Sequence, residues 1–160
     1  MKIYLAGPLF TVVELDFNRR LKAVLEASGH AVWLPQEHTP KHGDAHGILA
    51  VLLDGLRHAD VVVANMDGAD PDSGTSWECG YACACGVPTI LFRTDTRARL
   101  DVALGPYNLM MWASATVRLD GPFGSIDELT AALLSSLDPV LLKTQVEQQR
   151  SRIPAARTIP

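Results

Sequence analysis

The sequence predicts an α/β fold built on a doubly wound parallel sheet. Five short runs read as strands, stretches with helical spacing separate them, and the strand runs are apolar on both faces. Strands buried on both faces and joined by helices are the signature of a parallel sheet with helices packed on each side. A chain of 160 residues suffices for one such domain, burying roughly 70% of its unfolded surface without help from a disulfide or metal.

Each element follows from its residues. KIYLA at 2–6 is a short, largely apolar strand that runs into Gly7 and Pro8. Residues 14–28 place Leu15, Leu21, Val24 and Leu25 at helical spacing ahead of Gly29, giving strand, turn, helix. HAVWLP at 30–35 is a second strand stopped by Pro35, and the polar stretch behind it, broken by Pro40, Gly43 and Gly47, reads as a mobile loop. A helix from about 45 to 58 leads into DVVVAN at 60–65, the most β-branched run and hence a buried central strand. Residues 71–87 read as loop plus helix, and PTILF at 88–92 is the fourth strand. A polar connection follows at 94–101, then a short turn around 106–112 and the fifth strand, ATVRL at 115–119. The last well-patterned helix covers 126–137. Residues 1–138 thus form a single domain, and 139–160 a helical extension with a frayed tail. Ligands on such sheets bind beyond the carboxyl ends of the strands where strand order reverses, which directs attention to loops 6–13, 65–77 and 93–112.

Composition narrows the function. A net charge of -4 and only scattered arginines (Arg93, Arg97, Arg99 and three in the tail) argue against a nucleic-acid partner. No segment approaches the roughly 18 apolar residues that span a bilayer, and the N-terminal stretch is too short for a secretory leader. Cys79, Cys83 and Cys85 are an odd number and no disulfide framework, which fits a reducing, cytoplasmic setting.

PDSGTSWECGYACACGVP at 71–88 carries the chemistry. At 100° per residue Cys79 and Cys83 lie about 40° apart, but Cys85 falls on the far side, so the three sulfurs do not converge on one ion; a small buried hydrophobe is the better reading of them. His38, His42 and His46 would share a helical face, but Pro40 and Gly43 oppose a helix there. No metal site is expected. Neither the Walker spacing nor a GxGxxG is present, so no glycine-rich phosphate loop is predicted. The carboxylates remain. Asp72 or Ser73 is a natural N-cap, with Gly74 in the first turn, and Glu78 falls in the second turn near the positive end of the helix dipole, which favours its ionised form. An ionised carboxylate at the mouth of a sheet crevice suits attack on an electrophilic carbon, and Asp72 is placed to handle the leaving group's proton. Two carboxylates with separate roles are the arrangement of glycosyl transfer. Residue type alone also allows a plain cap at Asp72 and a solvated helix residue at Glu78.

Together, KIYLAGPLF at 2–10, ADVVVANMDG at 59–68, DSGTSWECGYA at 72–82 with GVP at 86–88, and YNLM at 107–110 resemble the nucleoside 2-deoxyribosyltransferase family. The resemblance implies a flavodoxin-like fold and a two-step exchange of a nucleoside's base, with no cofactor. It implies Glu78 as the nucleophile that takes up the 2-deoxyribosyl group, Asp72 as the proton carrier for departing and incoming base, and Tyr4 as the group that orients the nucleophile. It also implies that Asn108 reaches a neighbouring subunit's sugar, hence a homo-oligomer, and that Gly7, Phe10, Gly74 and Met110 contact substrate. Phe10, Phe17, Trp33, Tyr81 and Trp112 are the rings available to stack on a base.

The chain departs from the family at one position. A carboxylate or amide is usual eight residues before the aspartate that opens the third strand; counting back from Asp60 gives Leu52, and Asp54 is rotated about 200° from that face. Two other functions compete with base exchange. A nucleoside 5′-monophosphate N-glycosidase would need phosphate donors, yet GPLFTVVELDF offers Thr11 and the backbone amides of the following helix but no arginine or lysine before Arg19. A non-catalytic nucleoside-binding protein would keep the pocket without turnover.

Overall fold

The computed structural model describes residues 1–39, 43–95, 107–119, 121, 123–138, 143, 146 and 147. Strands β1 (Lys2–Ala6), β2 (Ala31–Trp33), β3 (Val61–Asn65), β4 (Thr89–Phe92) and β5 (Val117–Leu119) form one parallel sheet in the order β2-β1-β3-β4-β5. The chain steps outward from β1 to β2, returns to β3 on the other side of β1, and continues outward to β5. Strand order therefore reverses between β1 and β3, as in flavodoxin-like sheets.

The helices are α1 (Val12–Ala27), α2 (Pro35–His38), α3 (Ala45–Arg57), α4 (Ser73–Cys85), α5 (Leu109–Ser114) and α6 (Ile126–Ser136). Successive strand residues point to opposite faces of the sheet. Ile3, Leu5, Val61, Val63, Ile90 and Phe92 pack with Leu21 and Leu25 of α1 and with Leu129 and Leu133 of α6. On the other face Tyr4, Ala6, Val62, Ala64 and Leu91 meet Leu56 of α3, Cys79 and Ala82 of α4, and Met111 of α5. All five residues of β3 are buried, as its β-branched run predicts.

The structure corrects four details. Helix α1 starts two residues earlier than the apolar spacing indicates, because Thr11 and Glu14 close a capping box that draws Val12 and Val13 into the first turn. Pro35 starts a helical turn as well as stopping β2, since proline at the first helical position forfeits no hydrogen bond; part of the expected loop is thus helical, and 40–42 lies outside the described residues. The turn expected around 106–112 is helix α5 from Leu109, capped by Asn108, with Pro106 outside the described residues. Of the cysteines only Cys79 is a buried apolar filler; Cys83 is half-buried and Cys85 exposed. Residues 96–101 of the polar connection, and 139–160 apart from 143, 146 and 147, also lie outside the described residues. No helix among the described residues is long and apolar enough to cross a membrane.

The turns after β3 and β4 hold each other. Asp67 accepts hydrogen bonds from the Thr94 and Asp95 amides and the Thr94 hydroxyl, and Asp95 accepts one from the Gly68 amide. The buried Arg93 guanidinium donates to the carbonyls of Met66 and Gly68 and to the Asp95 carboxylate. This lock anchors the turn from which the chain climbs to α4.

Candidate active site

Helix α4 begins beyond the β3 turn with Asp72 as its cap. One oxygen, Oδ2, accepts from the Thr75 amide at 2.8 Å and the Thr75 hydroxyl at 3.0 Å, leaving Oδ1 without a partner among the described residues. Six residues on, the helix turns Glu78 toward the sheet, where it is 7% exposed. Tyr4, fully buried on β1, donates its hydroxyl to Glu78 Oε1 at 2.5 Å. Oε2 of Glu78 has no partner among the described residues.

Burial pushes the Glu78 carboxyl from its ordinary 4.5 up to about 7; the Tyr4 hydrogen bond pulls it back, and the nearby Asp72 charge adds to the rise. The expectation that the helix dipole favours an ionised Glu78 left burial out of account: with the carboxyl raised to about 7, the side chain is poised between its two forms at neutral pH. Burial and the Glu78 charge raise the Tyr4 phenol well above its usual value, so it remains a hydrogen-bond donor. The neighbouring Cys79 thiol is pushed up to about 12, chiefly by burial, which makes it unreactive.

A cavity of about 460 Å³ opens beside this pair. Gly7, Leu9 and Phe10 of the β1–α1 loop, Leu15, and Pro35, Gln36 and Thr39 around α2 form one side; Ile48 and Leu52 of α3 and Asp72, Gly74, Thr75 and Glu78 complete it. Buried Asn18 ties the two loops together, its amide donating to the Pro8 carbonyl and to Gln36 Oε1, while Gln36 donates to the Leu15 carbonyl. None of the described lining residues is basic.

A second crevice, about 570 Å³, adjoins the first and shares Phe10 and Asp72 with it. It lies at the β1/β3 reversal and carries Glu14, Asp67, Asp70 and Asp95 besides Asp72, again with no basic residue among those described. The Glu14 carboxylate accepts from the amides of Phe10 and Thr11, so an internal anion already sits at the entrance to α1, beside the helix amides named from sequence as phosphate donors.

Of the residues predicted from sequence, Glu78, Asp72, Gly7, Phe10 and Gly74 line the cavity, and Tyr4 reaches it through Glu78. Asn108 and Met110 are exposed on α5 and do not line it in the single chain; Asn108 Oδ1 instead accepts from the Met110 amide as a helix cap. Leu52 does face the cavity, while Asp54 points outward and pairs with exposed His58. Among the candidate stacking rings, only Phe10 lines it: Trp33 stacks on Tyr4, Tyr81 on Trp77, Trp112 lies under Arg118, and Phe17 borders the second crevice. Sequence reasoning passed over Thr75, Gln36, Leu15 and Ile48. Thr75 was detectable as the amide an Asp72 cap must reach; Ile48 as the residue one turn before Leu52; Gln36 had no local signal. Among the described residues no three His, Cys, Asp or Glu side chains cluster so as to hold a metal ion.

No curated protein shows significant similarity to the chain. A 2-deoxyribosyltransferase of Bacillus psychrosaccharolyticus is 25% identical, with 89% of this chain and 96% of that one superposed at a TM-score of 0.67. A 2-deoxyribosyltransferase of Leishmania mexicana is also 25% identical, covering 85% of this chain and 98% of its own at 0.63. A CMP N-glycosidase of Clostridium botulinum shares the fold at 19% identity, covering 84% and 99% at 0.62. The family model for nucleoside 2-deoxyribosyltransferases matches residues 3–110, which include β1 from Ile3 on, the cavity walls and all of α4. With its sheet order, its buried Tyr4–Glu78 pair and this match in hand, the chain belongs to the nucleoside 2-deoxyribosyltransferase family.

Proposed function

We propose that the protein exchanges the base of a 2′-deoxynucleoside through a covalent glycosyl-Glu78 intermediate, with retention at the anomeric carbon. One observation carries the reading: a buried glutamate, hydrogen-bonded at 2.5 Å by Tyr4, shares a cavity with a capping aspartate that has an oxygen to spare. In the first step an oxygen of ionised Glu78 bonds to C1′, the bond from C1′ to the base nitrogen breaks with its electron pair leaving on the base, and Asp72 delivers the proton that neutralises it. In the second, Asp72 takes a proton from the incoming base, whose nitrogen displaces Glu78. Two inversions restore the original configuration. Tyr4 steadies the carboxylate, Phe10 offers a face to the base, and Gly7 and Gly74 keep backbone close to the ligand. Asn108 and Met110 serve a neighbouring subunit's cavity in a cytoplasmic homo-oligomer, and residues 1–138 are the working unit.

Transfer is favoured over hydrolysis of a nucleotide by Glu14, whose carboxylate occupies the amides of Phe10 and Thr11 and opposes a phosphate there. Incubation with a deoxynucleoside and a different free base is expected to yield the exchanged nucleoside, followed by chromatography, and Glu78→Ala to abolish it. Base release from a deoxynucleotide without any exchange would replace this reading with N-glycosidase activity.

A further inference from the structure

Tyr4 and Trp33 are partners in the parallel register of β1 and β2, so their side chains leave the sheet on the same face. Their rings stack with centroids 4.9 Å apart and planes 16° from parallel. His38, at the end of α2, stacks on Trp33 in turn, at 4.6 Å and 11°. Three near-parallel rings at these spacings form a column with Trp33 in the middle. Helix α3 admits it only because residue 55 is glycine: a Cβ there would stand 2.7 Å from the fused bond of the indole, closer than van der Waals contact allows.

We propose that Trp33 is a positioning residue for the Tyr4–Glu78 pair, its indole seated on the bare backbone of Gly55 and fixing the plane in which the Tyr4 phenol reaches the carboxylate. The inference rests on the functional reading above, in which Glu78 is the nucleophile. The physical argument is one of lost support. Tyr4 is held by β1 at its Cα, but its hydroxyl is at the end of a long lever. With the indole removed, the ring has a void to tilt into, and small displacements at a reacting centre carry penalties of up to about a hundredfold in rate. The titratable groups facing Glu78 are Tyr4 on β1 and Asp72 and Cys79 on α4, and none of them is altered by changes at positions 33 or 55.

The test uses Trp33→Leu, Trp33→Phe and Gly55→Ala in the full chain, with two readouts: exchange kinetics, and the titration midpoint of the Glu78 carboxyl by carbon-13 NMR, assigned with Glu78→Gln. Trp33→Leu is expected to lower kcat roughly ten- to a hundredfold with little change in KM, and to raise the Glu78 midpoint as the Tyr4 hydrogen bond loosens. Trp33→Phe, which keeps an aromatic face, restores most of both. Gly55→Ala, which displaces the indole while leaving it in place chemically, reproduces the defect, and adding it to Trp33→Leu brings no further loss. A Trp33→Leu protein with unchanged kcat and an unmoved midpoint overturns the proposal, as does one that merely melts at lower temperature. Should Trp33→Leu fail to fold, an unmoved midpoint in Gly55→Ala overturns it equally. A wild-type protein that performs no exchange, but whose Glu78 midpoint still rises in Trp33→Leu, removes the functional reading and leaves the positioning role standing.

Discussion

Glu78 is stabilised in the wrong form for its proposed task, and its surroundings turn this into a measurable trade. Between pH 4.5 and about 7 the folded protein keeps a proton on Glu78 that the unfolded chain has released. Stability therefore falls as pH rises through that window and levels off above it. We expect Glu78→Gln, which stays neutral, to be more stable than the wild type at about pH 8 by roughly 1–3 kcal/mol, with the gap closing toward pH 4.5, as read by urea unfolding at both values. Activity runs the opposite way, because attack on carbon needs the ionised form. The acid limb of kcat/KM for exchange is expected near pH 7, rising with pH, and a limb near pH 4.5 would show that a different group titrates.

At the scale of elements, α4 gives Asp72 two jobs that substitutions can part. As a cap it satisfies the Thr75 amide, and as a cavity wall it presents a free carboxylate oxygen. Asp72→Asn keeps a cap of similar strength and is expected to unfold within about 0.5 kcal/mol of the wild type while losing exchange activity. Asp72→Ala is expected to lose the activity and about 1 kcal/mol of stability as well, measured by thermal denaturation. Helix α3 shows the same economy of placement: Ile48, Leu52 and Leu56 recur every four residues, so one apolar stripe lines the cavity at its outer end and enters the core at Leu56.

For the whole molecule, α4 and α5 pack together and expose Trp77, Leu109, Met110 and Trp112 to solvent. Apolar side chains of this size are more often covered than wet. Met110→Glu, at a site 73% exposed in the single chain, is expected to lower the mass seen by sedimentation and to weaken exchange together. Much of this architecture is legible in the sequence, because β-branched runs such as 61–65 and the spacing of Leu21 and Leu25 are local consequences of burial. The carboxylate pair is legible too, since a cap and a residue on the following turn are fixed by helix geometry. The Tyr4–Glu78 bond joins residues 74 apart, and Gln36 enters the cavity only through a hydrogen-bond network with Asn18 and Leu15; contacts made by tertiary packing leave no local trace. The carboxylates of the second crevice have a last effect on the proposed chemistry. A sugar held as an ester on Glu78, as proposed above, would be open to attack by inorganic phosphate. An approaching phosphate would meet Glu14, Asp67 and Asp70 ranged beside the cavity, a repulsion that an uncharged acceptor would not feel.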